Sequence, residues 1–192
     1  AMNFDAIRKI KCPADIKGMN VEDLKQVAAQ MRDAILFRCA NFSGHVGPNL
    51  GDVEAVIALH YVFDAPKDRI VFDVSHQDFP HKMLTGRVEG FINPDCFSKV
   101  GEYTDPSESP EYDIFYAGHT SPSLSLCCGL AKARELENGH YNVVAFIGDG
   151  SLSGGQALEG LNNAGALNAN FICIVNDNQM AIAETHGALY DN

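Results

Sequence analysis

The sequence predicts an α/β protein: a parallel sheet with helices on both faces. Three observations predict it. Short β-branched and aromatic runs at Arg69–Val74, Asp113–Ala117, Val143–Ile147 and Phe171–Val175 alternate with stretches long enough for helices, the alternation of a parallel sheet. The runs stop at glycine or at small polar residues, as buried strands do. Val143 to Asn178 forms a strand–helix–strand unit of the length a right-handed crossover needs.

Taken in order, residues 3–18 are mixed and are expected to wrap the surface. Asn20 is placed to cap a helix from Val21 to Ala40, where Val21, Leu24, Val27, Ala28, Met31 and Ile35 follow helical spacing. Asn41–Gly51 reads as a glycine-rich loop around His45, and a second helix spans Asp52–Phe63. Strand Arg69–Val74 delivers Ser75-His76-Gln77 beyond its carboxyl end, and Pro80–Gly86 reads as a short helix. Val88–Tyr112 has no clear period and carries Pro94, Pro106 and Pro110, so it is expected to be a long excursion over the mouth of the site. Gly118-His119-Thr120-Ser121 follows the Asp113–Ala117 run, and Pro122 opens a helix that stops at Asn138-Gly139. In the last crossover, Ser151–Leu167 places Leu152, Leu158, Leu161 and Ala164 on one helical face.

Composition narrows the function. The 192 residues are 46% hydrophobic, enough for a real core. A net charge of −11 without a basic stripe argues against nucleic acid as a partner. No apolar run is long enough to cross a bilayer, so no membrane role is expected. The six cysteines form no C-x-x-C pair, the pattern of reduced, packed thiols in a cytoplasmic protein.

In an open parallel sheet, ligands bind beyond the carboxyl ends of the strands. Asp149 stands at one such end and Asn178 just past the next. A carboxylate and an amide oxygen form a sparse, hard ligand set that suits Mg²⁺, which takes its remaining ligands from water and phosphate. Gly148 and Gly150 permit a tight turn and close approach. A helix starting near Ser151 would aim free N–H groups at the same place. The expected object is a metal–diphosphate site. A dinucleotide loop is an alternative, because GDGSLSG loosely mimics G-x-G-x-x-G, although Ser153 replaces the third glycine. A ligand-free glycine turn is another. His45, His76 and His119 each lie in a small-residue loop that can converge on the strand ends.

The GDG–helix–strand–NDN pattern, Gly148 to Asn178, is similar to the thiamine-diphosphate signature of the transketolase-like superfamily. SGHVGPNLGDVEAVIALHYVFDAPKDRIVFDVSHQDFPHKMLTGR, Ser43–Arg87, and GHTSPS, Gly118–Ser123, resemble the N-terminal region of the 1-deoxy-D-xylulose-5-phosphate synthase family. The resemblance implies thiamine diphosphate and Mg²⁺ as cofactors, with pyruvate and glyceraldehyde 3-phosphate as substrates and CO₂ as a product, in isoprenoid and thiamine precursor supply. It implies Asp149, Asn178 and the Met180 carbonyl as metal ligands. His45 and His76 become catalytic. His76, His119, Thr120, Ser121, Gly148, Gly150, Ser151 and Asn178 become cofactor-binding.

It also implies that residues 1–192 are part of a diphosphate-binding domain, with pyrimidine-binding and C-terminal domains outside this chain. The expected partners are that pyrimidine-binding domain or a second subunit, in a cytoplasmic homodimer. One departure stands out: the family carries a basic residue before Ser-Glu-Ser, and here Pro106 precedes Ser107-Glu108-Ser109. That puts substrate contact from this loop in doubt. A split transketolase and a cofactor-free scaffold remain as alternatives.

Overall fold

The computed structural model describes residues 2–184, 186–188 and 190. Strands β1 (Arg69–Phe72), β2 (Val143–Gly148) and β3 (Ile172–Asn176) form a parallel sheet in the order β1-β2-β3. The register pairs Phe72 with Phe146 and Gly148 with Asn176. Alternate side chains point to opposite faces. Ile70, Phe72, Val144 and Phe146 join a core with α2 (Val21–Asn41), α4 (Val53–Val62) and α5 (Phe79–Leu84). Val71, Val143, Ala145 and Ile147 pack on the other side against Leu124 and Cys127 of α7 (Ser123–Leu136) and Ala157 of α9 (Gly155–Leu167). The expected helices on both faces are present. The side chain of Asn20 caps α2 by accepting the Asp23 N–H at 2.9 Å.

Several expectations need correction. Residues 113–117 are not a strand. The Asp113 carboxylate is bound by His81 and Arg87, and the Phe115 carbonyl accepts the Thr104 hydroxyl, which draws this segment away from the sheet. Ile114 and Phe115 are apolar because they pack beside the second core. Residues 3–18 do not simply wrap the surface. They form α1 (Asp5–Arg8) and a 3-10 turn at Pro13–Ile16, and Ile7, Ile10 and Ile16 are fully buried. The loop around His45 contains a short helix, α3 (Val46–Gly51).

The expected Ser151–Leu167 helix is divided into α8 (Asp149–Leu152) and α9. Gly154, at ψ 139°, leaves the helical region between them. Leu158 and Leu161 are exposed, and Ala157 and Gly160 are the buried positions. Small residues take that face because α7 lies close: a β-carbon on Gly160 would stand 3.0 Å from the Ser125 nitrogen.

Residues 88–112 are tied down rather than loose. They include α6 (Glu89–Ile92) and a 3-10 turn at Pro94–Lys99, with Phe91, Ile92, Phe97 and Val100 buried. Arg38, fully buried, donates to the carbonyls of Gly90, Phe97 and Val100. Its guanidinium lies over the rings of Phe42, Phe79, Phe91 and Phe97.

Candidate functional site

The site lies at the carboxyl ends of the strands. β1 ends at Phe72, and the Asp73 N–H continues the ladder by donating to the Phe146 carbonyl at 2.8 Å. The chain then turns sharply. Val74 and Ser75 take φ values of 56° and 61°, and the Ser75 N–H closes back onto the Asp73 carbonyl. A β-branched residue in the left-handed region costs of order 1–3 kcal/mol, and such strain persists only where surrounding contacts hold it. Here Ser75 Oγ accepts the Thr104 N–H at 2.9 Å. His76 emerges directly from this turn.

The Asp73 carboxylate accepts the N–H groups of Ser121 at 2.8 Å and Ser123 at 3.0 Å. It thereby caps α7, whose own first residues supply no side-chain cap. Ser121, held at φ 78°, passes the link on by donating its hydroxyl to the Ser151 carbonyl at 2.8 Å. Asp73, Ser121 and Ser151 therefore stitch the end of β1, the Gly-His-Thr-Ser loop and the Gly-Asp-Gly turn into one surface. Gly154 faces the same seam: a β-carbon there would stand 2.0 Å from Ser121 Oγ.

His45 and His76 meet edge to face, with ring centroids 5.7 Å apart. Burial lowers the proton affinity of His76; His45 adds to that effect and Asp73 opposes it. Its imidazole is therefore neutral at pH 7. His76 Nδ1 is buried and has no hydrogen-bond partner among the described residues. His45 Nδ1 lies 3.2 Å from Glu102 Oε2 but outside hydrogen-bond alignment, and the Tyr103 ring sits 6.0 Å from the His45 ring. His119 and Thr120 stay exposed on their loop, where His119 Nδ1–H donates to the Thr120 carbonyl at 2.9 Å.

Asp149 is buried at the first turn after β2, and its carbonyl accepts the Tyr190 hydroxyl. The register sets Gly148 beside Asn176, so Asp149 and Asn178 leave neighbouring strand ends. Asn178 is exposed, and its Oδ1 accepts the Met180 N–H at 2.9 Å. The chain after Asn178 folds back over the turn: a β-carbon on Gly150 would lie 2.9 Å from Ala181 Cβ.

A family profile described as 1-deoxy-D-xylulose-5-phosphate synthase matches residues 7–192. The chain belongs to this family. A 1-deoxy-D-xylulose-5-phosphate synthase from Dictyoglomus turgidum is 46% identical over 183 residues, which cover 95% of this chain and 29% of the relative. A 1-deoxy-D-xylulose-5-phosphate synthase 1 from Geobacter metallireducens is 47% identical over 180 residues, 94% of this chain and 29% of that protein. The chain thus spans about three tenths of these relatives. Among solved structures, transketolase from Campylobacter jejuni superposes with a TM-score of 0.70 at 24% identity, covering 89% of this chain and 31% of that one. A transketolase mutant from Pichia stipitis gives 0.68 at 22%, covering 85% and 28%. These likenesses concern the fold.

The donor set expected from the sequence, sparse and all oxygen, is of the type that suits a hard divalent ion. Among the described residues no group of three or more His, Cys, Asp or Glu could hold a metal. The expected set of the Asp149 carboxylate, the Asn178 amide oxygen and the Met180 main-chain carbonyl would be of a different type, one that Mg²⁺ completes with water and phosphate oxygens. The bond from Met180 does not remove Asn178, because an amide oxygen carries two lone pairs. α8 has four residues, so its macrodipole is small, and a diphosphate held there would rely on individual N–H groups such as those of Gly150 and Ser151.

Sequence reasoning missed Asp73, Asn49, Glu102 and Tyr103. A signal existed for Asp73 alone: a helix opened by Pro122 without a capping side chain needs an acceptor from elsewhere. Behind the site lies a buried ionic knot. His60 Nε2 and His81 Nδ1 are 2.9 Å apart, and His81 Nε2 is 3.0 Å from Asp113 Oδ1. Arg87 holds Asp113 in bidentate fashion at 2.6 and 2.9 Å, and Lys82 reaches Glu108 at 3.0 Å. Glu108, the middle of Ser-Glu-Ser, therefore points inward as an anchor for its loop.

Proposed function

We propose that this chain is the thiamine-diphosphate- and Mg²⁺-binding part of an enzyme that condenses pyruvate with glyceraldehyde 3-phosphate, releasing CO₂ and giving 1-deoxy-D-xylulose 5-phosphate. The observation that carries the reading is the seam Asp73–Ser121–Ser151, which fixes the end of β1, the Gly-His-Thr-Ser loop and the Gly-Asp-Gly turn to one another beside Asp149. Membership of the synthase family supports it. Thiamine diphosphate, when bound, supplies the carbanion-stabilising centre for decarboxylation and carbon–carbon bond formation.

The chain's own residues bind and orient. Asp149, Asn178 and the Met180 carbonyl hold Mg²⁺. Main-chain N–H groups of Gly150 and Ser151, beside Gly148, take the diphosphate, with Ser121, Thr120 and His119 on its flank. His45 and His76 face the reacting carbon. A neutral His76 with a free Nδ1 suits proton exchange near neutrality. The reading carries with it a cytoplasmic homodimer completed by a pyrimidine-binding domain, supplying isoprenoid and thiamine precursors.

The test is calorimetric titration of the complete protein with thiamine diphosphate and Mg²⁺, with and without Asp149→Asn. The expected result is Mg²⁺-dependent binding that weakens at least about 10-fold in the variant. Metal-independent binding, or no binding by the complete protein, defeats the proposal. Ketose transfer without pyruvate consumption would assign the chain to a split transketolase instead.

A further inference from the structure

We propose that Asn49 is the positioning residue that holds His45 and His76 in one geometry. Its relevance to catalysis rests on the function proposed above; the clip itself does not. Asn49 is fully buried in α3, and its amide makes three hydrogen bonds. The two Nδ2 hydrogens go to the carbonyl of His45 at 2.7 Å and the carbonyl of His76 at 2.8 Å. Oδ1 accepts the Phe79 N–H at 2.9 Å. His45 and His76 lie on separate loops, 76 − 45 = 31 positions apart. Among the described residues the Asn49 side chain makes the hydrogen bonds that join these loops.

The chemistry explains why an amide stands here. One planar group must offer two donors and an acceptor within a short reach. Aspartate has the acceptor and no donor, serine has a single hydroxyl proton, and glutamine carries an extra methylene. The two carbonyls belong to the histidines themselves, so the clip fixes the peptide planes from which both imidazoles project. His76 needs such a restraint, because the strained turn at Val74 and Ser75 immediately precedes it. Without the clip, relaxation of that turn moves His76 relative to His45. A displacement near 1 Å can cost about 100-fold in rate.

The test uses the complete protein as wild type, Asn49→Ala and Asn49→Asp. Asn49→Asp keeps the bond to Phe79 and removes both donors. The first measurement is the rate of histidine modification by diethyl pyrocarbonate, resolved by peptide mass mapping, with exposed His119 and His140 as internal references. Both variants should raise the rates at His45 and His76 by about threefold or more and leave the references unchanged, as local opening requires. Unchanged rates at His45 and His76 overturn the proposal. Should Asn49→Ala fail to fold, Asn49→Ser, which keeps one donor, carries the comparison with an intermediate rise.

The second measurement is pyruvate decarboxylation. Asn49→Ala should lower kcat about 10- to 100-fold at unchanged affinity for thiamine diphosphate. In a background lacking both imidazoles, His45→Ala with His76→Ala, the same substitution should change kcat less than about twofold, since it acts through those two side chains. Equal losses in both backgrounds mean a general structural defect and overturn the positioning role. A wild type inactive towards pyruvate sinks the function proposed above, and the labelling result still decides the clip.

Discussion

Gly154→Ala isolates the seam between the Gly-His-Thr-Ser loop and the Gly-Asp-Gly turn. Gly154 has φ −66° and ψ 139°, a conformation any residue adopts, so the substitution carries no backbone penalty. The cost is steric. The added methyl would lie 2.0 Å from Ser121 Oγ, 2.9 Å from Ser121 Cβ and 3.2 Å from the Ser151 carbonyl oxygen. Ser121 cannot step aside freely, because its N–H is bound to Asp73 and its hydroxyl to Ser151. Overpacking of this kind costs about 1–3 kcal/mol, and loss of the Ser121–Ser151 hydrogen bond adds about 1 kcal/mol. The expected destabilisation is therefore about 2–4 kcal/mol. Urea unfolding reads it. Adding Ser121→Gly removes the obstructing atoms and suits the φ of 78° at that position. The double variant should recover at least about half of the loss, a coupling expected of residues in contact. A single-variant loss below about 0.5 kcal/mol, or strict additivity of the pair, would refute the reasoning.

Two further outcomes follow from the buried charges. Asp52 is fully buried, and neither carboxylate oxygen has a hydrogen-bond partner among the described residues. Burial raises its pKa well above the usual carboxylate range, and Asp78 adds to the rise. A raised folded pKa means stability that is full below the unfolded value, about 3.9, and is lost as pH climbs through the folded value. Asp52→Asn should therefore stabilise the protein at pH 8 by about 1 kcal/mol or more and do less at pH 5, when urea unfolding is compared at the two pH values. An equal effect at both would contradict the assignment. Arg38→Lys replaces a planar fork that serves three carbonyls with a single ammonium, at an expected cost of about 2–4 kcal/mol. Limited proteolysis should then cut first within residues 89–100, and an unchanged cleavage pattern would count against it.

The parts of the fold legible in the sequence were those set by continuous patterns. Val143–Ile147 reads as a strand because both of its faces are buried, and α2 reads as a helix because one stripe of it is. Asp149 and Asn178 could be placed at neighbouring strand ends from topology alone. The segment at Asp113–Ala117 misled because its apolar residues serve packing while a charge sets its path. Leu158 and Leu161 misled because a helix face can be chosen by closeness rather than size: α7 leaves no room for a side chain at Gly160, and Ala157 is buried on the same face. Asn49 carried no signal. Its partners are main-chain groups, the His45 carbonyl four residues back and the His76 carbonyl and Phe79 N–H 27 and 30 residues on, and such bonds impose no pattern on neighbouring side chains.

The strand order has a consequence for how a ligand would be gripped. β2 has a hydrogen-bonded neighbour on each side, and its Val143–Ile147 side chains are all buried. Among the described residues β3 pairs with β2 as its one strand neighbour, and Ile172 and Val175 stand exposed. Asp149 thus follows a strand paired on both sides, whereas Asn178 follows one paired, among the described residues, on one side. In the function proposed above, the carboxylate would be the better-held ligand and the amide the more adjustable one, so capture of an ion would draw β3 onto the sheet and leave β2 where it was.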